Sequence, residues 1–170
     1  MTANTGLTVD FGKNKSGDDW RIVNDGVMGG LSQSITTLSE NSILFKGEIS
    51  LENNGGFASI RTLITAGELT RCKTVSIRYK SNRTDRTFGV SLKNSQQYYI
   101  PYYKSLFTPN TTDWTVLTLN LSDFKHYRIG EIIGDQMPTK ALDDIFNIAI
   151  IISDKKAGAF DIEIDYITFE

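Results

Sequence analysis

Apolar and polar residues alternate with a period of two along most of this chain. Ile43, Phe45, Gly47, Ile49 and Leu51 fall on one parity; Val75, Ile77 and Tyr79 alternate with Ser76, Arg78 and Lys80. Phe88, Val90 and Leu92 follow a turn at "SNRTDR", and Leu117, Leu119 and Leu121 alternate with Thr118 and Asn120. This is the pattern of strands that bury one face. "IFNIAIIIS", Ile145 to Ser153, is apolar on both parities, which predicts a central strand covered on both sides. Phe160, Ile162 and Ile164 share a parity that Ile167 and Phe169 do not, so a β-bulge is expected near Asp165-Tyr166. Turn signals at "SEN", "NNGG", "KNSQ" and "DKKAG" separate the runs, and only "TAGELTRC" and "TKALDDIF" suit a helical turn or two. Many short strands at such spacing predict an all-β sandwich or barrel, in one domain spanning residues 1–170.

Composition narrows the function more than the fold. The chain has 170 residues, 39% hydrophobic and 22% charged, enough for a real core and too apolar for disorder. A formal net charge of −2 lacks the footprint of a general nucleic-acid binder. Arg71, Lys73, Arg78, Lys80, Arg83 and Arg86 cluster in sequence, but strand faces and a turn in solvent account for them. No secretory or transit signal is visible, and the longest apolar run is far below the ~20 residues that span a bilayer. The expectation is a soluble, cytoplasmic protein without membrane insertion.

One cysteine, Cys72, and one histidine, His126, forbid an internal disulfide and a zinc site of Cys and His ligands. Cys72 is expected to be a small, half-buried residue, although neighbouring cations could lower its pKa. His126, in "FKHYRIG", reads as a solvated loop residue, which leaves no Ser-His-Asp triad. Asp161, Glu163 and Asp165 on one strand face are expected to meet solvent. A structural calcium ion would use Asp10, Asp18, Asp19 and Asp165, but no contiguous ligand loop is present. No cofactor, no metal and no catalytic residue is expected.

The glycines carry the most specific signal. "NDGVMGGLSQS" places Gly29-Gly30 before strand-like "LSQSITTL", not before a helix, so it lacks the N–H cluster that cradles phosphate. It reads as a sharp β-corner. "FKGEISLENNGGFASIR" holds a second corner at Gly55-Gly56, followed by Phe57 and Arg61. If the strands from Leu31, Ile43 and Phe57 are antiparallel neighbours, Asn24, Asp25, Ser32, Asn54 and Arg61 share a patch. Arg61 is expected to pair with Asp25 or with the carbonyls of the first corner, and at least two of the four corner glycines should take φ > 0.

Trp20 with "VNDGVMGGLS", the Phe45-x-Gly47 step, "NNGGFASIR" and the closing "ISDKKAGAFDIEIDYITFE" together resemble the complex I intermediate-associated protein 30 family over nearly the whole chain. The resemblance implies a jelly-roll β-sandwich of galactose-binding-like type. It implies an assembly role with a protein partner, of which a membrane-complex subunit is one candidate. It places Asp25, Gly29, Gly30, Asn54, Gly55, Gly56, Phe57 and Arg61 on the family's motif positions without assigning them a reaction.

"QQYYIPYYKSLF" adds a binding feature. Tyr98 and Tyr102 share one face and Tyr99 and Tyr103 the other, so one pair points away from the core or into a cleft. Pro101 suggests an edge or a bulge. Exposed tyrosines suit a protein partner or a sugar ring, and Tyr99 and Tyr103 are the candidates here. The function expected is therefore a non-catalytic binding and assembly module recognising a protein; a carbohydrate-binding module is the alternative.

Overall fold

A computed structural model describes residues 6–12, 19–95, 102–128 and 131–170. Its strands are β1 (Leu7–Asp10), β2 (Arg21–Ile22), β3 (Gln33–Leu38), β4 (Ile43–Ile49), β5 (Ala58–Leu63), β6 (Thr74–Lys80) and β7 (Phe88–Lys93). They continue as β8 (Tyr102–Phe107), β9 (Thr115–Asn120), β10 (Lys125–Arg128), β11 (Glu131–Gly134), β12 (Asn147–Ile152) and β13 (Gly158–Phe169). Helix is confined to short 3-10 turns, among them Thr139–Asp144 in "TKALDDIF".

Two antiparallel sheets face one another, a β-sandwich of jelly-roll type. One runs β3-β4-β13-β6-β9, with β1 also on β13; the other runs β11-β10-β8-β7-β12-β5-β2. The inner faces meet in one apolar core that includes Phe45, Phe88, Phe160, Ile150 and Phe169, all at most 2% exposed. Phe160 meets Phe45 and Phe88 edge-on, with centroids 5.0 and 6.4 Å apart, the favoured aromatic geometry.

Two sequence expectations are met in detail. The "IFNIAIIIS" segment becomes β12, buried along its whole length between β5 and β7. The parity change in the last strand is a register shift between Ile164 and Tyr166 against β6. It lets β13 pair with β4 before the shift and with β1 after it while apolar side chains stay in the core.

Other expectations change. β5 is not a neighbour of β3 and β4; it lies in the opposite sheet, beside β12 and β2. β8 is an interior strand between β7 and β10, not an edge, and Pro101 lies outside the described residues. His126 sits on β10, stacked on Tyr103 with centroids 4.6 Å apart, not in a solvated loop. Arg86 is buried: its guanidinium pairs with both Asp154 oxygens at 2.9 Å and donates to the carbonyls of Lys156, Gly158 and Ala159. Glu163 and Asp165 are paired with Lys80 and Arg78, respectively, on the outward face of the six-stranded sheet. Cys72 is buried, and burial, with the Glu170 carboxylate behind it, pushes its thiol up, against any activation by nearby cations.

Candidate functional site

The corner glycines surround one carboxylate. Asp25 is fully buried at the start of a 3-10 turn, Asp25–Met28. Its Oδ1 accepts from the Ser32 N–H at 3.0 Å, and its Oδ2 accepts from Ser32 Oγ at 2.5 Å, Gly56 N–H at 2.6 Å and Phe57 N–H at 3.2 Å. Burial alone would raise its pKa, but the donors from Gly56, Ser32 and Phe57 together hold it below the ordinary carboxylate value. The glycines make the approach possible. A Cβ on Gly30 would lie 2.5 Å from Asp25 Cγ, and one on Gly55 would lie 2.6 Å from Oδ2. Gly29 and Gly56 supply the positive φ, 87° and 125°, so two of the four corner glycines take left-handed backbone as expected.

The expected patch is thus divided. Asp25 and Ser32 meet; Asn24 accepts from Ser34 Oγ at 2.9 Å; Asn54 lies exposed in the second corner, and it is Asn53 that reaches Gly29 O. Arg61 does not join them. Because β5 belongs to the other sheet and Ile60 fills the core, Arg61 projects outward from the sandwich. Its Nε donates to Ser59 Oγ at 2.8 Å, and no described carboxylate pairs with it. Asp25 needs no cation, because backbone donors satisfy it. Trp20 packs on Phe11 in the core, with centroids 5.1 Å apart.

Arg61 instead belongs to a polar surface that the sequence pattern did not single out: the outward face of the seven-stranded sheet. Residues paired across strands share a face. Arg21 pairs Arg61, Arg61 pairs Ala149, Ala149 pairs Ser91, Ser91 pairs Lys104 and Lys104 pairs Lys125. The adjoining row brings Asn147 beside Lys93 and Tyr102 beside Tyr127. Lys93 and Lys104 are 8% and 4% exposed, rare for lysine without a counter-charge. The Lys104 stem crosses Gly89, where a Cβ would sit 2.9 Å from its Cδ, and its Nζ reaches Ser153 Oγ at 3.4 Å. That Nζ also lies 4.3 Å from the Tyr127 ring centroid, and Tyr127 is stacked on Tyr102. Burial brings both ammonium groups down to about 8, and the Arg61 charge adds to the shift at Lys93. Asn147 Oδ1 is buried on this face without a partner. The useful sequence signal was Lys93, Lys104 and Asn147 on the outward parity of otherwise apolar strands.

Of the tyrosine run, Tyr102 and Tyr103 are described. Tyr103, a binding candidate by sequence, instead faces the core, and Tyr102 faces outward, half-buried against Lys93 and Lys104. Tyr98 and Tyr99 lie outside the described residues, as does Asp18 among the calcium candidates. Among the described residues no three metal-ligating side chains gather, and Asp165 is held by Arg78 at 2.6 Å. No described helix is long and apolar enough to cross a membrane.

The Trp20 segment, both Gly-Gly corners and most of the closing β13 lie within residues 9–164, which match the family model for complex I intermediate-associated protein 30. The chain belongs to that family. No curated protein matches it. Among solved structures, it is similar to a family 11 carbohydrate-binding module from Clostridium thermocellum in complex with a beta-1,3-1,4-mixed-linked tetrasaccharide. That comparison has a TM-score of 0.68 and 14% identity, over 98% of this chain and 96% of that one. The family 11 module of the cellulosomal cellulase Lic26A-Cel5E from the same organism also gives 0.68, at 15% identity over 99% and 95%. The K2 cleaved adhesin domain of Lys-gingipain gives 0.55, at 12% identity over 97% and 99%. At these identities the likeness is one of fold, a β-sandwich.

Proposed function

We propose that this family member is a non-catalytic module that holds a protein partner during assembly of a larger complex. The family match over residues 9–164 carries this reading. The surface that suits it is β11, an edge strand whose Ile132 and Ile133 are 52% and 53% exposed. An open edge bearing large apolar side chains invites a partner strand or loop, and most proteins blunt such edges. Cross-linking mass spectrometry in the native host tests this. Lys125, on the adjoining strand, should link to a subunit of a multi-subunit complex, and an Ile132→Lys, Ile133→Lys variant should lose the link. No such link, or one unchanged in the variant, would refute the reading.

A second reading is carbohydrate binding, favoured by the chemistry of the seven-stranded face. Protein interfaces concentrate aromatic and apolar groups at their centre and exclude lysine. The centre of this face instead holds buried Lys93 and Lys104, flanked by exposed Arg21 and Lys125 and half-buried Arg61, donors that hydrogen-bond to hydroxyls and carboxylates.

A further inference from the structure

The outward face of the seven-stranded sheet has an unbalanced charge. Arg21, Arg61, Lys104 and Lys125 lie in one row of paired residues, separated only by Ala149 and Ser91. With neighbouring strands about 4.8 Å apart, the row crosses the sheet for about 24 Å. Lys93 lies on the same face, one row away. Arg21 directly opposes Arg61, and Lys104 directly opposes Lys125, an arrangement that destabilises a sheet when nothing neutralises it. No Asp or Glu occurs in β2, β5, β7, β8, β10 or β12 to do so.

From this juxtaposition we propose that the face is a binding site for an extended carboxylated polysaccharide, a uronic-acid polymer, lying across the strands along the Arg21–Arg61–Lys104–Lys125 row. This rests on the carbohydrate reading above and names the ligand class. Exposed Arg21 and Lys125 and half-buried Arg61 contact sugar carboxylates. Buried Lys93 and Lys104 act from beneath as fixed positive charge, since partly desolvated cations raise the potential above a low-dielectric floor. One observation favours a glycan over an acidic protein segment. The row runs perpendicular to the strands, so a ligand along it cannot extend the sheet by backbone pairing as a peptide strand does.

The test is affinity electrophoresis and titration calorimetry of the full chain against polygalacturonate and alginate, with mixed-linked β-glucan, poly-glutamate and single-stranded DNA as comparators. Uronate polymers should be retained, with binding lost as salt rises from ~0.1 to ~1 M and screening shortens to about 3 Å. Arg21→Gln and Lys125→Gln, both at exposed positions, should each weaken binding by about tenfold, the size of a lost charge-assisted contact. Trp114→Ala, on the opposite sheet under Arg78, should leave binding unchanged. Retention of β-glucan but not of uronates would overturn the anionic assignment while leaving carbohydrate binding intact. Equal retention by poly-glutamate or DNA, or no retention by any glycan, would overturn the proposal altogether.

Discussion

Removing the Asp25 carboxylate tests the account of the two glycine corners. In Asp25→Ala, four donors lose their acceptor: the Ser32 N–H and O–H, the Gly56 N–H and the Phe57 N–H. Asp25 is fully buried and Ser32 is 7% exposed, so water reaches the Ser32 donors only if the corners open, while Gly56 and Phe57 are half-buried. A buried donor left unpaired costs about 1–3 kcal/mol. Ser32 Oγ can rotate toward the Ser50 carbonyl, 3.3 Å away, which leaves three backbone N–H groups, two of them on half-buried residues that water partly rescues, and an expected loss of about 3–6 kcal/mol. Asp25→Asn keeps the shape but turns an NH2 group toward a donor, so its cost should be smaller, about 2–4 kcal/mol. Urea unfolding followed by tryptophan fluorescence, with m-values compared, measures both. The wild type should also lose stability as pH falls below about 4, because the depressed carboxyl binds a proton more readily in the unfolded chain; that part of the slope should vanish in Asp25→Ala. A loss below about 0.5 kcal/mol in Asp25→Ala, with the acid slope unchanged, would refute the hub and return the glycines to being ordinary turn residues.

Gly30→Ala and Gly55→Ala, whose new Cβ atoms would collide with Asp25, should each cost about 1–3 kcal/mol in urea unfolding. Gly29→Ala points into open space and should cost only the left-handed backbone term, about 1 kcal/mol. Arg86→Ala leaves Asp154 without its cation and three carbonyls without their donor, and should cost about 3–5 kcal/mol, with little rescue in Arg86→Lys, which cannot reproduce the planar fork. Lys93 and Lys104 are brought to about 8 in the folded chain, so the unfolded chain holds more protons between pH 8 and about 10.5 and stability rises with pH across that window. A Lys93→Met, Lys104→Met variant should be more stable than wild type at pH 7 and lose that rise, measured by thermal unfolding at stepped pH.

Local pattern settles much of this protein because burial on one or both sides of a strand imposes a period that the chain must carry wherever it folds. The buried length of β12, the bulge after Ile164 and the confinement of helix to short turns are all visible as parity in "IFNIAIIIS", "FDIEIDYITF" and "TKALDDIF". The need for glycine at two corners is equally local, since positive φ is a property of one residue. What parity cannot carry is which strand lies beside which. Arg61 follows the second corner closely in sequence, yet β5 crosses to the other sheet, and Arg61 joins Arg21, Lys93 and Lys104 instead of Asp25. That Asp25 would be satisfied by backbone donors from a distant turn, and that a cationic row would assemble from six strands, are consequences of strand order. Strand order is chosen by how the whole core packs, and no short stretch of sequence encodes it.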